Sequence, residues 1–283
     1  TGVAMGAFRQ RFMPLLLRRL DLHSRQLQVS EVLDQASRTF ETAYQLALVE
    51  ARDTLQAQVE AAPIDDPAAR RLLLHNLASY FAAAVMMPYG RFIAACEASG
   101  YDLELLQARF GAGFEQVAHR LTTLQRPGAR GIPFFMVRTD RAGNISKRYA
   151  AGRFPFTRTG GRCPLWSLHA AFDRPGQLLV QLIALEDESR YLSIARTVRS
   201  YAMPYGGVRP EFAVGIGCEV EHARGLVYAR GRDVGPETAT PVGIGCAACN
   251  RLECRQRSVP PAGHSLLIDE RQRGPTPFSF GVG

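Results

Sequence analysis

The texture of the chain changes once, near Leu124, and that change limits the fold more than any single motif does. Before it, Val32, Ala36, Phe40, Ala43, Leu46, Ala47 and Val49 recur at three- and four-residue steps. They predict one long helix over residues 31–62, a stretch with neither Gly nor Pro before Pro63. After the 63–67 break, with Asp65 or Asp66 as cap, a second helix is predicted over 68–87 and stops at Pro88. The helix restarts over 90–98. Residues 101–110 and 114–124 read as two short helices around a glycine turn, a layout that fits plain scaffold or a helix-turn-helix.

Past residue 131 the period becomes that of strands. Residues 132–138 and 145–149 flank Asp140-Arg-Ala-Gly-Asn144, which is hairpin chemistry. Residues 177–185 and 190–198 form a second pair, with a short helix over 165–172 before them. From 211 onward Gly and Pro are frequent and regular structure is hard to read, so this segment needs another staple. The expected class is α+β, in three parts: a helical domain over 1–124, a mixed, mainly antiparallel ligand-binding domain over 125–210, and a cysteine-rich segment over 211–283.

With 283 residues and 46% hydrophobic content the chain can bury a sizeable core. No run approaches the roughly 18 apolar residues of a membrane span. Arg9, Arg11, Arg18 and Arg19 interrupt the apolar residues near the start, which argues against a cleaved signal peptide; the chain reads as a cytoplasmic piece of a longer protein. The net charge is +8, carried by 34 basic residues that are mostly Arg. That bias favours bidentate recognition of phosphate, against the common alternative of a solvated basic surface.

The six cysteines are unevenly spread, as in metal or redox chemistry rather than a secreted disulfide framework. Cys246, Cys249 and Cys254 form C-x2-C-x4-C, and Cys218 lies upstream, with 27 residues intervening, behind the same Gly-Ile-Gly that precedes Cys246. Thiolates this close can converge on one centre. Three clustered cysteines plus a remote one are nearer to iron-sulfur usage than to paired zinc knuckles, so a 4Fe-4S cluster is expected, with zinc as the alternative. The fourth ligand is Cys218 or Cys163, the latter in a Cys-Pro step. Arg251, Arg255 and Arg257 are placed to offset thiolate charge, whereas Cys96 reads as a buried core thiol.

Gln125-Arg-Pro-Gly-Ala-Arg-Gly-Ile-Pro-Phe-Phe135, Gly143-Asn-Ile-Ser-Lys-Arg148, Gly160-Gly-Arg-Cys-Pro-Leu-Trp166, Ser193-Ile-Ala-Arg-Thr197 and the cysteine segment resemble the C-terminal part of short-chain acyl-CoA-responsive regulators. Those are bacterial transcription factors of propionate and acetate metabolism. The resemblance implies the ligand-sensing portion of such a regulator, with CoA or a short-chain acyl-CoA as ligand. It also implies promoter DNA as a partner through a missing N-terminal helix-turn-helix domain, a homo-oligomeric assembly, and no enzymatic activity. The first half also resembles the zinc metallopeptidase domain fused to some regulators. In that domain a helix carries H-E-x-x-H; Tyr44, Gln45 and Leu48 stand in this chain where His, Glu and His are required, so the site is dismantled.

Coenzyme A presents phosphates at one end and a long, nearly neutral arm at the other. Arg126, Arg130, Lys147, Arg148, Arg153 and Arg196 are the candidate phosphate contacts, and Phe156 and Trp166, with Phe135, the candidate apolar lining. Strand alternation allows only one of Lys147 and Arg148 to reach a given phosphate. The competing reading is a zinc-stabilised DNA-binding domain resting on 101–124 and the positive charge.

Overall fold

The computed structural model describes residues 4–8, 16–155, 163–199, 201–203 and 205–281. The chain divides into two compact units, one made of residues 1–120 with 200–210, the other of 121–199 with 211–283. Among the described residues no helix is long and apolar enough to cross a membrane.

The first unit opens with three short strands, β1 (Ala4–Phe8), β2 (Arg18–Asp21) and β3 (Gln26–Ser30), in the order β1-β3-β2. Leu27, Val29 and Leu33 form a small core there, joined by Tyr201. The expected long helix is two: α1 (Gln35–Glu50) and α2 (Arg52–Ala61), broken at Ala51. Asp34 starts α1 by accepting from the Ser37 amide at 2.7 Å, so the helix begins four residues later than its periodicity implies. Asp66 caps α3 (Pro67–Met86) through the Ala69 amide at 2.7 Å, with Pro67 in the first turn where its missing N–H costs nothing. Ala43 and Ala47 of α1 meet Ala78 and Ala82 of α3, small side chains that allow close helix packing. α4 (Tyr89–Ser99), α5 (Leu103–Phe110) and α6 (Phe114–Leu121) follow as short helices.

The second unit begins with a small ribbon, β4 (Gln125–Arg126) and β5 (Ala129–Arg130), and then builds a six-stranded sheet. Its strands are β6 (Phe135–Thr139), β7 (Ile145–Ala150), β8 (Leu179–Ala184), β9 (Arg190–Arg199), β10 (Glu211–Glu219) and β11 (Thr240–Pro241), in the order β11-β8-β9-β10-β6-β7. Both predicted hairpins are present as antiparallel pairs, β6 with β7 and β8 with β9. In the first, Asp140 closes the turn by accepting from the Asn144 amide at 2.8 Å. α7 (Ser167–Ala170) covers one face of the sheet, and α8 (Val220–Ala223) follows β10. Phe135, Val137, Trp166, Leu168, Phe172, Ile183 and Tyr191 make the core on the α7 side.

The segment 211–283 does not stand apart from 125–199, because both lie in one unit and share one sheet. β10 is an inner strand, paired with β9 over nine positions and with β6 over five. Its sequence, EFAVGIGCE, resembles loop because of its glycines. Gly217 is required by a close approach: a Cβ there would lie 2.5 Å from the Leu192 carbonyl and 2.7 Å from the Phe135 ring. Gly217→Ala should therefore strain the sheet, lowering stability by about 1–3 kcal/mol, as overpacked cores do. Urea unfolding followed by Trp166 fluorescence would read it, and an unchanged midpoint would contradict the close packing of this strand.

Candidate functional site: a cysteine-lined recess

Four thiols reach one recess in the second unit, those of Cys163, Cys246, Cys249 and Cys254. The recess is shallow and partly open to solvent. Cys163 arrives from the chain leading into α7, and the other three from the loop after β11.

Local geometry explains the approach. Residues 246–248 make one tight turn, closed by the Cys249 amide on the Cys246 carbonyl. Gly243 lets Cys249 close in, since a Cβ at Gly243 would sit 2.8 Å from the Cys249 Sγ. Three hydrogen bonds pin the loop to the end of β8 and the turn that follows it. The Val242 amide and Arg251 Nη2 both donate to the Ala184 carbonyl at 2.9 Å, and Glu186 accepts from the Asn250 amide at 2.8 Å.

Burial pushes the Cys163 thiol up, the amides of Gly243 and Leu165 oppose that, and Cys246 and Cys254 are near enough to raise it further. Burial also raises Cys249, with the Arg251 amide and Arg257 working against it and Glu186 with it. Among the described residues no three His, Cys, Asp or Glu side chains are gathered tightly enough to hold a metal ion as they stand. The thiols therefore line the recess without converging on a point.

Two arginines complete the lining. Arg257 is only 4% exposed and donates to the carbonyls of Cys246, Cys249 and Arg251, each at 2.8 Å, while its plane lies over Phe280, 4.9 Å from the ring centroid. The Nε atoms of both Arg257 and Arg251 are buried without an acceptor. Among the described residues neither guanidinium is in an ion pair, and an unpaired buried charge is costly, so the recess is electrostatically suited to an anion. Four thiolates around a metal centre are such an anion, and the donor set is one that zinc or an iron-sulfur centre accepts.

Cys218 is not part of this group. It lies on β10, 1% exposed, with its side chain on the face opposite to that of Gly217, and burial followed by Glu219 pushes its thiol up to about 12. The shared Gly-Ile-Gly implies equivalence, but one copy is a sheet strand and the other a loop. Cys96 is a core thiol of α4, also pushed up to about 12.

The expected phosphate contacts do not form one cluster. Arg126 and Arg130 are exposed on the β4–β5 ribbon, and Arg153 is exposed after β7. Lys147 and Arg148, on the edge strand β7, face opposite ways. Lys147 pairs with Arg138, Arg138 with Val214, and Val214 with Arg196, so Lys147, Arg138 and Arg196 share one transverse row on one face. Arg138 is absent from the sequence-based candidates, although its place in a hairpin strand opposite Lys147 is the signal that could have found it. Its guanidinium stacks 4.4 Å from the Phe212 ring centroid. Trp166 lies on the α7 side, buried in the core, with Nε1 donating to Ser193 Oγ at 2.8 Å. Phe156 lies outside the described residues.

In the first unit, Tyr44 and Gln45 are buried on α1. The Tyr44 hydroxyl bonds His75 Nδ1 at 2.7 Å, and Arg18 lies over the Tyr44 ring at 4.1 Å while pairing with Glu41 at 2.8 Å. An organic bridge between α1 and α3 stands where a metallopeptidase helix would offer ligands.

Comparison with known proteins places these features. Residues 123–278 match the family described as short-chain fatty acyl coenzyme A regulator, C-terminal, and residues 9–122 match the IrrE N-terminal-like domain. The chain is 46% identical over 241 residues to the propionyl-CoA carboxylase regulator of Cereibacter sphaeroides, covering 85% of this chain and 52% of that protein. It is 43% identical over 263 residues to the HTH-type transcriptional regulator PrpR of Mycobacterium tuberculosis, covering 93% and 54%. RamB of the same organism matches at 42% over 266 residues, covering 93% and 56%. The chain thus spans about half the length of the curated relatives it matches. A solved Mycobacterium tuberculosis transcriptional regulator superposes with TM-score 0.94 at 41% identity, covering 98% of this chain and 84% of that one.

Thiol reactivity should follow the geometry. With iodoacetamide at about pH 8, Cys246 and Cys254 should be alkylated first, and Cys96 and Cys218 only after unfolding, because the thiolate is the nucleophile. Peptide mass spectrometry reads the order; early labelling of Cys218 would contradict its place in the sheet.

Proposed function

The chain belongs to the short-chain fatty acyl coenzyme A regulator family, and from that premise we propose that it is the ligand-sensing portion of a transcription regulator. Its ligand would be CoA or a short-chain acyl-CoA of the propionyl type, and its cysteine recess would hold a 4Fe-4S cluster. The relatives are transcriptional regulators, and one is named for propionyl-CoA carboxylase. Two carry the helix-turn-helix type in their names. DNA contact would then belong to a separate part of the regulator, working as a homo-oligomer on paired half-sites.

The observation that carries the metal reading is the sharing of one recess by four thiols and two arginines whose buried Nε atoms lack an acceptor. Cys163, Cys246, Cys249 and Cys254 would be the ligands. Cys163 is preferred to Cys218 because it lines the recess and senses the charge of Cys246 and Cys254. A bound cluster would supply a compact anionic centre that cross-links the loop after β11 to the chain before α7. Zinc would do the same work of cross-linking with the same donors.

For the acyl-CoA, the row of Lys147, Arg138 and Arg196 supports a phosphate-binding role, since three cations on one sheet face match a ligand with several phosphates. Sensing requires that the ligand bind one conformation or assembly better than another, because equal affinity shifts nothing.

Two measurements test this. Iron and sulfide analysis after anaerobic reconstitution should find iron in the parent chain and in Cys218→Ser, and a loss of most of it in Cys163→Ser. Colourless protein holding zinc would refute the cluster while keeping the ligand set. Calorimetry with propionyl-CoA should give saturable heat, and Arg196→Ala or Lys147→Ala should weaken binding by about tenfold to a hundredfold, the worth of one charge-assisted contact. Absence of heat with acetyl-CoA, propionyl-CoA and CoA alike would reject the sensor reading.

A further inference from the structure

Resting on the reading of the recess as a thiolate-held metal centre, we propose that Arg257 and Arg251 are its positioning residues. Their buried Nε–H groups would donate to the anionic centre, and Arg257 would set how readily that centre accepts an electron.

Arg257 is held firmly, and among the described residues it has no ion-pair partner. Three of its N–H groups hold carbonyls of the cysteine loop, so the side chain is fixed, but carbonyls neutralise no charge. Phe280 closes one side of the guanidinium plane. Nε is left buried with nothing to donate to, on a side chain that lines the recess. Arg251 repeats the pattern, with Nη2 on the Ala184 carbonyl and a buried, unsatisfied Nε. Two such donors at one recess mark where an acceptor belongs, because an unsatisfied buried polar group is costly and native interiors avoid it.

Charge gives the same answer. Glu186 is a carboxylate beside Cys249, and it already takes the Asn250 amide. Among the described residues lining the recess the only charged side chains are the two guanidinium groups, with the Glu186 carboxylate beside Cys249. Arg255, third of the arginines in this segment, is exposed and does not line the recess. Geometry therefore selects two of the three.

N–H donors and positive charge around metal-bound sulfur stabilise the more negative redox state. One-electron reduction by dithionite adds a single negative charge to the centre, breaks no bond and needs no proton. Losing the Arg257 charge should make that step harder.

The test is an anaerobic redox titration with dithionite, followed by electron paramagnetic resonance, on the iron- and sulfide-reconstituted chain. Arg257→Gln should titrate at a more negative midpoint than the parent, and Arg257→Lys, which keeps the charge, should recover most of the shift. Arg251→Gln should move it in the same direction. Thermal melting of the metal-stripped variants runs alongside, because a merely structural arginine would lower stability and leave the potential in place. If Arg257→Gln fails to load, Arg251→Gln and Arg257→Lys carry the comparison. Equal midpoints in variants and parent overturn the assignment.

Should the parent take up cobalt(II) but no iron, the cluster reading fails and the donor role is read by chelator competition. Arg257→Gln should then lose cobalt at roughly tenfold lower chelator concentration, the usual scale for an outer-shell partner. Equal retention overturns the assignment. A parent chain that binds neither metal overturns both this inference and the metal reading.

Discussion

The hydrogen bonds from Arg257 to the Cys246, Cys249 and Arg251 carbonyls set the shape of a segment that has almost no secondary structure to shape it. Residues 242–263 contain one short 3-10 turn, a few isolated bends of the chain and no ladder of their own, so backbone carbonyls that a strand or helix would satisfy must find other donors. A forked, rigid guanidinium supplies several at once. Arg257 gathers three carbonyls around itself, Phe280 packs over it, and His264 ties the Asn250 side chain to the Gly281 carbonyl. The turn bearing Cys246 and Cys249 is held open toward Cys163 by this scaffold. Lysine has the charge but not the fork, so it would keep the positive field while holding fewer of these carbonyls.

How far the residues alone reach depends on whether a signal is local. The hairpins around Asp140 and Glu186 are readable because alternation and turn chemistry sit within a dozen residues, and α3 because Asp66-Pro67 is a start signal in itself. The break at Ala51 is not, since neither Gly nor Pro marks it. The three N-terminal strands are hidden by shortness and by charged residues such as Arg18, Arg19 and Asp21. β10 is hidden by glycines whose purpose is contact with Leu192 and Phe135, residues far away in sequence.

The cysteines show the same divide at the site. Spacing finds Cys246, Cys249 and Cys254, but it cannot choose between Cys163 and Cys218, because that choice depends on which face of a sheet and which loop each occupies. The basic residues are found by type, and only the strand register shows that Lys147 and Arg196 share a row with Arg138 while Arg148 does not. In the first unit, the loss of metal ligands is visible in Tyr44, Gln45 and Leu48, whereas the bridge from Tyr44 to His75 needs the helices to be paired first.

The inner position of β10 also orders events in time. β6 and β7 join the rest of their sheet only through β10, and the residues between β9 and β10 belong to the other unit. A ribosome must therefore deliver the chain through Glu219 before the two halves of that sheet can be sewn together. Until then the long β9 exposes an unpaired margin, the kind of nascent edge that invites association between neighbouring chains. The order in which the sheet can close is thus set by its topology and not by the order of its strands along the chain.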